Sequence, residues 1–349
     1  MPDVVVVGAG VLGASIALEM QRSGRSVTVV DKGVAVGGGS TGSSSAVVRY
    51  NFSTLAGVIS AWESAHRWWS WADHLDVPEG IGPLATFHRR PMLFLEPAGF
   101  DRAHMVGLLE DVGVEWEVLD REVLAQRFPQ LDTRTFFPPC RPDEARFFDD
   151  PGELLDCVVT PDAGFIDDPQ LAAANLMDAA LLHGSVLRLR TQVVGLATVG
   201  GRLAGVRLAD GSTISAPVVV NAAGPWSSEL NRLAGVTAEM AVPTRPLRQE
   251  VHVVPSPDGF SMDDGGVMVA DMDLGYYSRP QPGGTLLVGG VEPDCDPLEW
   301  LEDPDEASPT PTVECFEAQV WRLARRLPDL AVPHRPTGLA GVYDVTPDW

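Results

Sequence analysis

VVVVGAGVLG at residues 4–13, followed by a helix-forming stretch and then by SVTVVD at 26–31, decides how this chain folds. Val4 to Val7 form an apolar β-branched run of the kind buried in a parallel sheet. Gly8, Gly10 and Gly13 complete G-x-G-x-x-G. Gly8 lets the chain turn out of the strand, Gly10 lets backbone approach a pyrophosphate, and Gly13 lets the next helix pack close. That helix, Leu12 to Arg22, carries Ile16, Leu18 and Met20; with Val11 and Leu12 at its start it aims amides and dipole at phosphates. Ser26 to Val30 supply a second strand. Asp31 ends it, about twenty residues on, where a carboxylate accepts a ribose 2′-OH, with Lys32 beside it. Strand, helix, strand and acid together predict a dinucleotide-binding unit, and an acid in place of an arginine pocket favours FAD or NAD over NADP.

The 349 residues suffice for two domains and a large core, and 45% hydrophobic with 21% charged residues is an ordinary globular composition. A formal net charge of −23 excludes nucleic acid and anionic membrane as expected partners, because both need basic patches. The first strand begins at residue 4, which leaves no room for a targeting peptide, and no apolar stretch reads as a membrane span. Cys140, Cys157, Cys295 and Cys315 lie far apart without C-x-x-C, so neither a metal site nor a disulfide framework is expected. A reducing cytoplasm is the expected compartment. Lys32 is the only lysine, so a Schiff-base lysine or one activating oxygen beside a flavin has no other source.

Gly37 to Ser45 has no apolar period and reads as a loop over a ligand, which makes Ser40, Thr41, Ser43 and Ser44 candidate cofactor contacts. A helix is predicted from Ser53 to about Leu75, bearing Trp62, Trp68, Trp69 and Trp71 as packing residues. Residues 85–95 read as strand and 101–128 as helix, strand and helix. An amphipathic helix is predicted from Asp168 to His183, then strands at 185–190, 192–198, 203–209 and 217–221, with hairpin turns at 200–201 and 210–211. NAAGPWS at 221–227 is a strand running into a small-residue turn. Strands at 248–254, 266–270, 275–280 and 285–290 suit a separate antiparallel sheet. The acidic segment 293–312 reads as a solvated loop around a short helix, without chemistry of its own; a helix from Pro311 to Leu327 and a strand from Leu339 to Tyr343 follow.

Together GAGVLG, Asp31, the GGGSTGSSS loop leading to Arg49, DAGFIDDPQL at 162–171, VVNAAGPWS at 219–227, GYYSRP at 275–280, LLVGGVEP at 286–293 and GVYDVTPDW at 341–349 resemble the D-amino-acid oxidase and sarcosine oxidase family. These are FAD-dependent amine oxidoreductases, among them glycine oxidase and the sarcosine and dimethylglycine dehydrogenases. The resemblance implies an α/β chain: a Rossmann-type FAD-binding domain with a parallel sheet (1–80, 160–240 and 335–349) and an antiparallel-sheet substrate domain (81–159 and 241–334). It implies oxidation of a small sarcosine-, dimethylglycine-, glycine- or proline-like amine to an imine by hydride transfer to flavin N5. By similarity Arg49 clamps a substrate carboxylate, Tyr277 faces the amine, and Arg279 is a further candidate for either role. Ala222, Ala223, Gly224 and Trp226 join the cofactor contacts.

Departures from the family pattern refine this. Gly42 and Ser43 stand where relatives with covalent flavin carry histidine, and Gly341 stands where others carry cysteine, which implies non-covalent FAD. Leu287 occupies the place of an oxygen-activating lysine, so a dehydrogenase with an unknown electron acceptor is expected over an oxidase. Relatives continue past TPDW with a strand, a glycine-rich loop and a helix, so either the gene is expected to be split or truncated, or a second chain completing that edge is a further expected partner. A nicotinamide dehydrogenase is the alternative, disfavoured because more parallel βα units would follow its first one; a non-catalytic flavin-fold assembly factor or remnant is another.

Overall fold

A computed structural model describes residues 1–78 and 82–347. Its parallel sheet has the order Val218–Asn221, Val4–Val7, Val27–Val30, Val186–Arg188. The four valines of the inner strand are all buried, because both faces of the sheet are covered. On one face lie the helices Val11–Arg22 and Pro169–Leu182. Ala14, Ala17, Ala172, Ala179 and Ala180 let these helices approach the sheet and one another closely. Asp168 caps the second helix by accepting from the Leu171 amide, with Pro169 in its first turn. On the other face a three-stranded antiparallel sheet, Val193–Val199, Arg202–Leu208 and Thr213–Ser215, lays Val206, Leu208 and Ile214 against Val5, Val7 and Val30.

The second large sheet has nine strands. Arg245–Pro255, Thr285–Gly290, Tyr276–Gln281 and Met268–Asp271 run antiparallel in that order, and Met92–Leu95, Cys157–Thr160 and Glu117–Leu119 extend the sheet beyond them. Gly338–Val345 and Glu299–Trp300 also pair with Arg245–Pro255. Strand alternation gives the sheet two different faces. One packs Val254, Tyr276, Leu286 and Val288 under Phe316, Val320 and Leu323 of the helix Val313–Arg326 and Leu327 just beyond it. The opposite face, with Tyr277 and Arg279, looks toward the glycine–serine loop, whose Ser45 carbonyl accepts from Arg279 Nε at 2.8 Å.

At the end of the same helix, fully buried Arg326 donates to Asp271 at 2.7 Å and Asp273 at 3.0 Å, both carboxylates being fully buried as well. Its remaining donors reach the Asp132 and Arg134 carbonyls. The long connection 132–136 is thereby tied to both the helix and the sheet.

Four sequence expectations are revised. The helix expected over Ser53–Leu75 is two, Leu55–Trp69 and Trp71–Leu75, because Ser70 leaves the helical region at φ −120°, ψ 49°. The strand expected at 85–95 divides into Phe87–Arg89 and Met92–Leu95, which belong to different sheets on either side of Pro91. The acidic segment 293–312 is anchored: Asp296 binds fully buried Arg322 at 2.6 Å, and Asp305 binds Lys32. Gly338–Val345, expected with the nucleotide segments, runs along Arg245–Pro255 instead; its register puts Gly341 opposite Gln249 and Tyr343 opposite Leu247. The last two residues of the TPDW stretch, Asp348 and Trp349, lie outside the described residues. Among the described residues no helix is long and apolar enough to cross a membrane.

Candidate active site

The first strand leads into a turn that glycine alone can make. Gly8 has φ +111°, and a Cβ there would fall 2.1 Å from the Ala222 carbonyl oxygen; a Cβ on Gly13 would fall 1.9 Å from the Gly8 carbonyl oxygen. Gly10 is different. Its φ of −73° and ψ of −177° suit any residue, and the only atom crowding a Cβ is Thr41 Oγ1 at 3.1 Å. A glycine that the backbone does not require leaves space for a ligand.

The helix beginning at Val11 has no side-chain cap from Gly10 and no acid in its first turn. Thr41 Oγ1 accepts from the Val11 amide at 3.1 Å, and Leu12, 66% exposed, stands at the mouth. An open N-terminus of this kind fits a pyrophosphate. Asp31 accepts from the Ala9 amide at 2.7 Å and the Gly33 amide at 2.6 Å, holding the turn, and each oxygen keeps a lone pair for a ribose hydroxyl.

The remaining expected cofactor residues lie around this cradle. Ser40 donates to the Val342 carbonyl at 2.6 Å, and Ser44 accepts from the Ala46 amide. Ser43 packs on Gly341, where a Cβ would fall 2.7 Å from its own. Ala222 bonds back to Val7, Ala223 is held by Asn221, and Gly224 turns the chain at φ +56°. Trp226 lies under the Lys32 ammonium at 4.2 Å, with its buried indole N–H unpartnered among the described residues. Lys32 also pairs with Asp305, so its charge is already engaged.

The second half of the site is built on the loop-facing side of the nine-stranded sheet. Tyr277 and Arg279 alternate on one strand, and Tyr277 faces Gly289 on the next. A Cβ at 289 would fall 2.6 Å from the Tyr277 ring and hydroxyl, so Gly289 makes the room in which the ring lies. The Tyr277 hydroxyl is buried with no hydrogen-bond partner at normal distance among the described residues. The Ser45 and Tyr343 hydroxyls lie in its surroundings, and burial pushes its pKa up.

Arg49 leaves the loop strand Val47–Val48, lies 4.3 Å over the Phe52 ring and donates to the Asn51 carbonyl. Arg279 lies 4.2 Å over the Phe165 ring. Neither guanidinium has an ion-pair partner among the described residues. Burial lowers the pKa of both, that of Arg279 to about 10. Leu287, 4% exposed, is the register partner of Arg279.

Two site residues escaped the sequence reading. Tyr343 follows Gly341 on the same face, and Glu292 follows the strand Thr285–Gly290 in the left-handed region at φ +50°. Burial, and then Asp296, raise the Glu292 carboxyl to about 7; its charge acts on both Tyr277 and Tyr343. Both lie within quoted motifs, and for Tyr343 the period-2 alternation from Gly341 was the available signal.

A model of a family described as FAD dependent oxidoreductase matches residues 3–349. A Xenopus laevis protein, FAD-dependent oxidoreductase domain-containing protein 1, is 26% identical over 98% of this chain and 70% of its own length. Among solved structures, L-proline dehydrogenase from P. horikoshii superposes with a TM-score of 0.78 at 22% identity, covering 99% of this chain and 82% of the other. Glycine oxidase from Geobacillus kaustophilus gives 0.75 at 20% identity, covering 99% and 84%.

Proposed function

This chain belongs to the FAD dependent oxidoreductase family, and from that premise we propose that it oxidises a small amine or amino acid at the carbon beside nitrogen. Sarcosine, dimethylglycine, glycine and proline define the size and chemistry of the substrate. The observation that carries this reading is the pair of guanidinium groups, buried Arg279 and half-buried Arg49, lacking a carboxylate among the described residues, close to the Tyr277 and Tyr343 hydroxyls. A buried cation without a counter-ion is costly, and an amino-acid carboxylate supplies the missing charge in a geometry that suits the guanidinium fork.

When bound, FAD supplies the acceptor for a hydride equivalent. Gly8, Gly10, Val11, Leu12, Gly13 and Asp31, with the loop serines and Thr41, are the residues that would hold it. Arg49 is the carboxylate clamp, and Arg279 adds positive potential from the loop-facing side of the sheet. Tyr277 and Tyr343 orient the amine through their hydroxyls. Glu292, held near pKa 7, takes the ammonium proton on its carboxylate so that the amine reacts neutral. The absence of histidine or cysteine where Ser43 meets Gly341 supports non-covalent FAD. Apolar Leu287 supports a dehydrogenase over an oxidase. The two structural neighbours, a proline dehydrogenase and a glycine oxidase, agree with a small amino acid. We also propose that residues 1–80 and 160–240 carry the cofactor and that 81–159 and 241–334 carry the substrate.

The test is anaerobic titration of the flavin-loaded protein with sarcosine, L-proline and glycine. One of them is expected to bleach the flavin bands, and Arg49→Met to weaken its binding about 10- to 150-fold, the worth of charge-assisted hydrogen bonds, with FAD retained. Bleaching that Arg49→Met leaves unchanged would overturn the clamp. Rapid reoxidation of the reduced protein in air would overturn the dehydrogenase assignment.

A further inference from the structure

On the opposite face of the sheet from the arginines, three ligand-type side chains converge between strand and helix. Glu250 and His252 alternate on the strand Arg245–Pro255, and Cys315 lies in the first turn of the helix Val313–Arg326. One ligand atom from each lies within 4.8 Å of the others, and His252 Nε2 is 3.7 Å from Glu250 Oε2. Two zinc ligands about 2.0 Å from a tetrahedral ion are about 3.3 Å apart, so closure needs only small side-chain movements.

The independent sign of a ligand is His252 itself. It is 0% exposed, and among the described residues neither ring nitrogen has a hydrogen-bond partner, an arrangement that costs free energy unless something binds there. Phe316 meets the ring edge-on at 5.4 Å and supplies no acceptor. The surroundings already hold the other two ligands in place. Arg248 donates to Glu250 Oε1 at 2.6 Å, and the Thr312 amide donates to Oε2 at 2.8 Å. Gln319 donates to Cys315 Sγ at 3.2 Å, the outer-shell contact a metal-bound thiolate uses.

We propose that Glu250, His252 and Cys315 form a structural binding site for one borderline divalent cation of the zinc type, clamping the helix to the sheet. Imidazole, thiolate and carboxylate together select zinc or cobalt over calcium or magnesium, which take oxygen ligands. Binding forms metal–nitrogen, metal–sulfur and metal–oxygen bonds and breaks the S–H bond, releasing that proton to solvent. With Arg248 paired to Glu250 and Glu299, the dication and thiolate bring the cluster to neutrality. The wide separation of the ligands in sequence, with the two strand residues in Glu-x-His and the thiol sixty-three positions on from His252, hid the site from motif reading.

The experiment is titration of the chelator-stripped full chain with cobalt(II) alone, read by absorption and by metal analysis. One equivalent is expected to bind, with a thiolate-to-cobalt charge-transfer band that zinc(II) bleaches by displacement. Cys315→Ser should abolish the band, and His252→Gln should weaken uptake at least tenfold, with folding of each variant checked by circular dichroism. No uptake by the wild-type chain, uptake without a thiolate band, or a band that survives Cys315→Ser would overturn the proposal. If both variants fail to fold, the thermal midpoint of the wild-type chain decides: zinc(II) at saturation must raise it, and no rise overturns the site.

Discussion

Replacing Gly289 by alanine would set a methyl group 2.6 Å from Cε1, Cζ and the hydroxyl oxygen of Tyr277. Non-bonded carbons rest about 3.5 Å apart, so the ring must retreat by about 1 Å. The retreat costs little in folding, because the ring is the free end of a side chain and its hydroxyl has no hydrogen-bond partner at normal distance among the described residues. About 1 kcal/mol of stability, the lower end of overpacking, is expected to go. The catalytic cost is larger: a misplacement of about 1 Å near a reacting centre lowers rates about a hundredfold, or about 2.7 kcal/mol of barrier. The assay is the anaerobic rate of flavin reduction by the best amino acid, measured beside FAD affinity and the thermal midpoint. Gly107→Ala is the control; nothing lies within 4 Å of its Cβ, in the helix Arg102–Val112, so it should add up to about 1 kcal/mol of helix stability and leave the rate alone. A Gly289→Ala protein that reduces its flavin at the wild-type rate would refute Tyr277 as the residue positioning the amine.

Gly10→Val, at a backbone conformation valine can adopt, should leave the fold intact and weaken FAD binding by two orders of magnitude or more; tight FAD retention in a flavin-release assay would remove Gly10 from the cofactor cradle. Arg326→Met strips the cation from two fully buried carboxylates, Asp271 and Asp273, and should cost about 3–5 kcal/mol in urea unfolding; a loss under about 1 kcal/mol would mean water already reaches them. Glu292, raised from 4.5 to about 7, holds its proton in the folded state after the unfolded chain has released it, so stability should fall as pH rises from 4.5 to 7 and then level. Glu292→Gln should remove that slope and, after discounting for partial exposure, gain about 1–2 kcal/mol at pH 8; an unchanged pH–stability curve would contradict the burial of this acid. Asp305→Asn breaks only an ion pair open to solvent, so its unfolding free energy should drop by less than about 1 kcal/mol, and a larger loss would reveal a structural strap over the cofactor.

Residues 4–31 dictate their own structure because each step is local: a β-branched run, Gly8 and Gly13, whose backbone or close packing admits no side chain, a helix and an acid at fixed spacing. The family resemblance extended that reading to Arg49, Tyr277 and Arg279 as candidate site residues and to the loop residues as candidate cofactor contacts. Sequence could not assign Glu292 or Tyr343 to the site, because that depends on which strands are neighbours and on a left-handed turn after Gly290. It could not tell that Gly289 serves Tyr277, since the two meet only through antiparallel register. Nor could it join Cys315 to Glu250 and His252, because the helix reaches them only by packing across the sheet. Local chemistry is written along the chain, whereas ligand sets and the two faces of a sheet are decided when non-local pairing brings distant residues together.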